Sequence, residues 1–223
     1  MRRSSGIVLG ALLLSGLVAR DASAQWNVAR LGSRPNRVYT TFGLDPAFVG
    51  TVGYGRVIRM YGHDFQFTID GGLVTAKLDT KDFRARAGTQ TSLLRWRSLQ
   101  LVGSATFITR GTENQIYSAL DFGADLTAAL GVYRPGWFVA GEFGKDKAII
   151  THVTNSDWYR RYFYPDAKDG WYLDAGGTLH FGLAAGLGLG PVEVVGRFGW
   201  LRTETWDQML PPIYATVGLG IGF

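Results

Sequence analysis

The 223-residue sequence contains no cysteine and only three histidines. Without cysteine the chain can form no disulfide bond, thiolate metal site or thiol nucleophile. The histidines are His63, His152 and His180, and they show no metal-ligand spacing, because His63 falls in a predicted turn distant from the other two. The sequence therefore predicts no metal site and no cofactor.

The sequence also lacks any run of about 20 apolar residues, the length that a membrane-spanning helix needs. Its apolar run at residues 6–18 follows Arg2 and Arg3 and precedes a small-x-small site at residues 22–24. This pattern predicts a cleaved secretory signal peptide over residues 1–24. Its removal takes away three Arg and one Asp and leaves 20 basic and 17 acidic residues. The small surplus is not concentrated in a stripe, which argues against a nucleic-acid partner.

Glycine, at 31 residues, and aromatic side chains, at 13%, are abundant. Residues 213–223 alternate strictly. Glycine occupies positions 218, 220 and 222, and the apolar positions are Ile213, Ala215, Val217, Leu219, Ile221 and Phe223. A strand that is apolar on one face and small on the other is typical of a membrane-spanning β-barrel. A soluble β-sandwich is the alternative for this composition.

The terminal strand, which ends at Phe223, resembles the closing strand of Gram-negative outer-membrane barrels. The resemblance is to small barrels of the opacity-type and porin-like superfamily. It implies that the barrel-assembly machinery recognises Phe223 and that the protein lies in the outer membrane, in contact with its lipid and lipopolysaccharide. Barrels of this kind act in adhesion or as scaffolds.

Period-two segments predict ten strands, at residues 36–44, 49–60, 65–78, 83–94, 97–109, 115–132, 137–152, 171–189, 192–204 and 213–223. Because lipid cannot hydrogen-bond an open sheet edge, the first strand must pair with the last. The predicted fold is all-β, a transmembrane antiparallel up-and-down β-barrel of about ten strands over residues 36–223, with eight strands as the alternative. Residues 25–35 are predicted to be a periplasmic lead-in.

The polar faces of these strands should point into the barrel. They predict a lumen charge network of Asp70, Asp121, Asp125, Glu142, Asp174, His180, Glu193 and Arg197, with Arg56 assigned the same facing. Side chains largely fill a barrel of this size, and buried charges must pair, so we expect an ion-pair plug rather than an open channel. Aromatic girdles are predicted at Trp96, Tyr133, Trp137 and Phe223 and, near the other end, at Trp171, Trp200, Trp206 and Tyr214.

One predicted external loop is rich in aromatic and basic residues, namely Trp158, Tyr159, Arg160, Arg161, Tyr162, Phe163 and Tyr164. Aromatic side chains can stack on sugar rings, and Arg can grip phosphate or carboxylate. The loop is therefore predicted to bind lipopolysaccharide, an extracellular glycan or a protein ligand. The alternative is a loop that only folds over the barrel mouth. Lys145 and Lys147 have outward parity and could meet lipopolysaccharide phosphates.

Catalytic constellations are weak in this sequence. Asp146, His152 and Asp174 share inward parity near the outer rim, where omptin-type outer-membrane proteases place an Asp/His pair, but no omptin segment is present. The adjacent His and Ser of outer-membrane lipid A deacylases are absent, because Phe181 follows His180. The sequence therefore predicts a protein that is not an enzyme and that acts through its loops in surface interaction, adhesion or envelope integrity. A narrow channel for small solutes and, behind it, a rim-located hydrolase are the alternatives.

Overall fold

The computed structural model describes residues 26–45, 47–75 and 81–223; the predicted signal peptide, residues 1–24, lies outside them. The strands are β1 Asn36–Leu44, β2 Phe48–Met60, β3 His63–Val74, β4 Phe83–Trp96, β5 Leu99–Glu113, β6 Tyr117–Arg134, β7 Trp137–Asn155, β8 Gly170–Leu189, β9 Val192–Thr203 and β10 Gln208–Gly222. They form a closed antiparallel barrel in which β1 pairs with β10. The ten-strand prediction is confirmed, and the eight-strand alternative is wrong.

The two ends of the barrel differ in their connections. The terminus end holds the start of β1, the end of β10 and four two-residue turns; at one of them Tyr61 and Gly62 have φ of 51° and 80°, as in a tight hairpin. At the opposite loop end, residues 156–169 carry a short helix, α1 (Asp157–Tyr162). A 3-10 helix, Val28–Ser33, precedes β1. Among the described residues, no helix is long and apolar enough to cross a membrane.

Most of the large apolar side chains on the strands point away from the barrel axis, although Ile108, Phe138 and Leu201 are buried inside the barrel. Along β6, Leu126 and Leu130 are 63% and 55% exposed, whereas Asp121 and Asp125 are 2% and 1% exposed. The alternation is the reverse of that in a water-soluble barrel, and it agrees with the predicted facing of β6 and β10. An apolar wall around a polar interior is the organisation of an outer-membrane-type barrel.

The glycine face of β10 makes room for an aromatic side chain from the start of the described chain. A Cβ at Gly220 would lie 2.8 Å from the ring of Trp26, and one at Gly218 would lie 3.5 Å from it. Trp26 is fully buried, and Val28 and Leu31 of the 3-10 helix are also buried. The lead-in predicted over residues 25–35 thus contributes residues that fill the terminus end of the barrel.

A register shift in β7 reverses the facing predicted beyond it. The shift lies between Ala148 and Ile150, where the pairing with β8 also skips residues. Asp146 points inward as predicted, but His152 points outward and lies against Trp171, with 4.9 Å between ring centroids. The predicted rim constellation of Asp146 and His152 is therefore wrong, because one extra residue in a strand exchanges its two faces.

Three other facing predictions are wrong. Arg56 is exposed, since Gly53 and Gly55 hold the buried positions of β2. Tyr133 and Tyr214 are 2% and 1% exposed and lie in the interior instead of in the girdles. Both tyrosines alternate along their strands with outward apolar residues, so the period of two puts them on the inward face.

Candidate functional site

The interior of the barrel holds paired charges. Arg197 donates to Glu142 from Nη2 at 2.7 Å and from Nε at 3.0 Å, and the two side chains are 2% and 0% exposed. The hydroxyl of Tyr214 donates to the same carboxylate. Glu142 is thus neutralised and hydrogen-bonded at once, which is the condition for burying a carboxylate without a large penalty.

Similar pairs occupy the rest of the interior. The distances are 2.7 Å for Arg86 Nε to Asp70 Oδ1, 2.8 Å for Arg37 Nη2 to Glu193 Oε2, 2.5 Å for Arg110 Nη2 to Asp146 Oδ2, 3.4 Å for Arg110 Nη1 to Asp121 Oδ2, and 2.7 Å for His180 Nε2 to Asp125 Oδ2. All of these side chains are almost fully buried. Each of these buried acidic side chains therefore has a basic partner within the interior.

Seven of the eight residues predicted for the lumen network lie in it; Asp174 does not. Its side chain is 71% exposed and pairs with Lys147 on the outer wall. Asp174 has φ of 56° and lies where β8 skips residues in its pairing with β7. Counting alternate residues along β8 therefore does not predict whether this side chain points inward or outward.

The cationic partners of the acidic residues were missed. They are Arg37, Arg84, Arg86 and Arg110. A signal was present in β4, where Arg84 and Arg86 alternate with Ala85 and Ala87. Small outward residues carry little weight in a hydrophobic pattern, so the alternation did not identify the inward face.

Trp26 is bound to the barrel interior through its backbone and its ring. The Trp26 N–H donates to Gln90 Oε1 at 3.3 Å, and Gln90 Nε2 donates to the Trp26 carbonyl at 2.9 Å. The backbone N–H of Asn27 donates to Glu193 at 2.8 Å, and the Arg37 guanidinium lies 4.6 Å from the centroid of the Trp26 ring. These contacts join the segment before β1 to the interior ion pairs.

At the loop end, polar contacts hold the base of the α1 loop, residues 156–169. Ser156 caps α1 by accepting a hydrogen bond from the Tyr159 N–H at 3.1 Å. Asp169 accepts from the Asn155 backbone at 2.8 Å and forms an ion pair with Arg160. Arg160 therefore has a structural partner within the loop.

The aromatic side chains of the α1 loop are not buried beneath other elements. Trp158, Tyr162, Phe163 and Tyr164 are 46–65% exposed. Trp158 packs against Phe163, with 4.9 Å between their ring centroids, and α1 contains no buried residue. Arg161 is exposed and forms no ion pair with any described residue. The loop thus presents aromatic surface beside an available guanidinium.

The ion pair at the loop base is expected to weaken in acid. The Arg160 guanidinium and, after it, the Asn155 N–H lower the pKa of Asp169 from 3.8 to about 2. The stabilisation by the carboxylate is present above the unfolded pKa and is lost as the pH falls through about 2. We expect pepsin to cleave the loop slowly at pH 4 and rapidly near pH 2. An Asp169→Asn variant should be cleaved rapidly at both pH values; equal cleavage of both proteins at pH 4 would contradict the proposed restraint.

The remaining predicted residues are placed as follows. Phe223 is 62% exposed at the terminus end, where its N–H donates to the Asn36 carbonyl at 2.9 Å. Within residues 26–45, 47–75 and 81–223, no group of three or more His, Asp or Glu side chains is arranged to hold a metal ion.

Comparisons with known proteins identify no family. No family model matches the sequence, and no curated protein matches it. Among solved structures, the chain is similar to LpxR from Salmonella typhimurium, with 9% identity and a TM-score of 0.35 over 79% of this chain and 74% of that chain. LpxR is an outer-membrane lipid A deacylase, and this finding contradicts the prediction that the chain is not an enzyme. At this TM-score the likeness carries neither an activity nor site residues to this chain.

Proposed function

We propose that the protein is an outer-membrane β-barrel with a closed interior that recognises an extracellular ligand through the α1 loop. The observation that carries the proposal is the contrast between the barrel interior and the α1 loop. The interior charges are bonded to one another, whereas the aromatic residues of the loop and Arg161 are exposed. The surface available for recognition is therefore at the loop end.

The outer wall supports the membrane location. Large apolar side chains such as Phe107, Leu126 and Val217 are 51–63% exposed around the barrel. Water would make such a wall unfavourable, and lipid makes it favourable. In this proposal the wall contacts outer-membrane lipid and lipopolysaccharide. The predicted signal peptide directs export, and the barrel-assembly machinery recognises Phe223.

The chemistry of the loop fits a glycan that bears an acidic group. Exposed aromatic rings provide flat apolar surface for sugar rings, and the Arg161 guanidinium can bind a carboxylate or sulfate through two hydrogen bonds. The neighbouring Arg160 already forms an ion pair with Asp169, so Arg161 is the cation that remains for the ligand. A protein ligand is the alternative that a binding experiment must separate from a glycan.

Arg161 and Arg160 should therefore differ in the effect of their replacement. Arg161→Ala is expected to weaken binding to an acidic glycan by about 10- to 100-fold, since a charge-assisted hydrogen bond contributes about 1.5–3 kcal/mol. Arg160→Ala should instead loosen the loop and increase its cleavage by protease. Glycan-array binding of the purified barrel and limited proteolysis measure the two effects.

A loop replacement tests the whole proposal. Replacing residues 158–164 by a Gly/Ser sequence should abolish glycan binding and leave the heat-modifiable mobility of the folded barrel unchanged. Binding that survives the replacement would refute recognition by this loop. If the barrel bound proteins but no glycan, the loop would remain the recognition site and a glycan would be excluded as its ligand.

A further inference from the structure

The outer wall carries an apolar groove of about 490 Å³ that extends across the strands from β5 to β9. Gly141 lies at its centre, between Leu130 of β6 and Leu183 of β8. Phe143 and Trp200 line it as well. The groove exists because a glycine on the outward face leaves a gap between larger neighbours.

The groove ends toward the loop end in a cluster of charges. Lys145 follows Phe143 on the outward face of β7, and its Nζ lies 2.9 Å from Glu204. Lys147 is 2.7 Å from the same carboxylate and also pairs with Asp174. The two lysines are thus neutralised by two carboxylates, which corrects the simpler expectation that both are available for phosphate.

Arg202 adds the unneutralised positive charge of this cluster. It pairs in register with Leu179, which in turn pairs with Lys145, so the three residues lie side by side across β7, β8 and β9. Arg202 shares its facing with Trp200, two residues earlier. It forms no ion pair with any residue that the structure describes. Three cations and two anions therefore leave a net positive charge above the groove.

We propose that this wall binds one molecule of lipid A, with an acyl chain in the groove around Gly141 and a phosphate at Arg202. The inference rests on the proposed outer-membrane location. Apolar surface and positive charge are continuous here, in the order in which an outer-leaflet lipid presents its chains and its phosphates. Phe181 and Trp200, with 6.0 Å between their ring centroids, lie where the apolar groove meets the charged cluster.

A glycine substitution can fill the groove without disturbing the strand. A Cβ at Gly141 would contact only the Gly182 carbonyl, at 4.0 Å, so Gly141→Leu should fold normally. Gly196 supplies the matched control. It also faces outward, a Cβ there would have nothing within 4 Å, and it does not line the groove.

The test is native mass spectrometry of the full-length barrel after exchange into detergent that contains added lipid A. The wild-type and Gly196→Leu proteins should retain one lipid A each. Gly141→Leu should lower the retained fraction about tenfold, and Arg202→Ala about tenfold, as expected for the loss of one charge-assisted phosphate contact. Equal retention by Gly141→Leu and Gly196→Leu would overturn the site.

Two further arms identify the lipid. Lipid A without phosphates should be retained about tenfold less than phosphorylated lipid A, and the difference should vanish in Arg202→Ala. Equal retention of phosphatidylglycerol would overturn the assignment to lipid A. The Gly/Ser replacement of residues 158–164 should not change lipid retention, so failure of the loop proposal and failure of this one are distinguishable.

Discussion

Replacing Arg197 by Met is expected to lower the free energy of unfolding of the barrel by about 3–5 kcal/mol, because it leaves a buried carboxylate without its cation. Glu142 is fully buried and accepts hydrogen bonds from Arg197 and Tyr214. Reversible urea unfolding in lipid vesicles, followed by tryptophan fluorescence, measures the difference.

Two comparisons separate the loss of pairing from the loss of packing. A triple variant with Arg197→Met, Glu142→Leu and Tyr214→Phe removes the cation, the carboxylate and the hydroxyl that are bonded to one another. It should recover most of the lost stability, since apolar replacement of a buried charge cluster is often neutral. Lys81→Met breaks the exposed pair with Glu113 and should cost less than about 1 kcal/mol. An Arg197→Met variant as stable as the wild type would show that the interior does not depend on the pair.

The second large effect is expected at Trp26. Its replacement by Ala should lower the free energy of unfolding by about 3–5 kcal/mol, as for other large-to-small changes at a fully buried position. The ring fills the space above Gly218 and Gly220, and neither glycine can extend into the resulting cavity. Amide exchange of residues 26–33 should also become faster, while that of β1 and β10 stays slow.

Trp158→Ala is the matched control for this change. Trp158 is 47% exposed in the α1 loop, away from the barrel wall, so its loss should alter the free energy of unfolding by no more than about 0.5 kcal/mol. If Trp26→Ala behaved like Trp158→Ala, the segment before β1 would not be an integral part of the barrel.

The strands could be predicted because lipid and interior impose opposite demands on alternate residues. Leu126 must face the apolar surroundings and Asp125 the polar interior, so the period of two is strong in β6. Closure followed from the need to satisfy the edges of β1 and β10. The acidic residues Asp121 and Glu142 were placed by the same alternation.

The sequence-based predictions failed where the position of a side chain cannot be inferred from the residues next to it in sequence. The register shift after Ala148 adds a residue where no glycine or proline is adjacent in sequence, so the outward facing of His152 had no local signal. The position of Trp26 depends on glycines nearly 200 residues later, and such a contact has no local pattern. The ion pair of Arg160 with Asp169 likewise depends on how the loop folds back.

Single-channel recording in planar bilayers tests the closed interior most directly. The folded protein, inserted at low density in 1 M KCl, should give no stable conductance steps, because bonded charges and the Trp26 segment occupy the lumen. The Arg197→Met and Trp26→Ala variants, recorded in the same way, show whether either element is sufficient to keep it closed. Regular ohmic steps from the wild-type protein would contradict the closed interior and favour a channel.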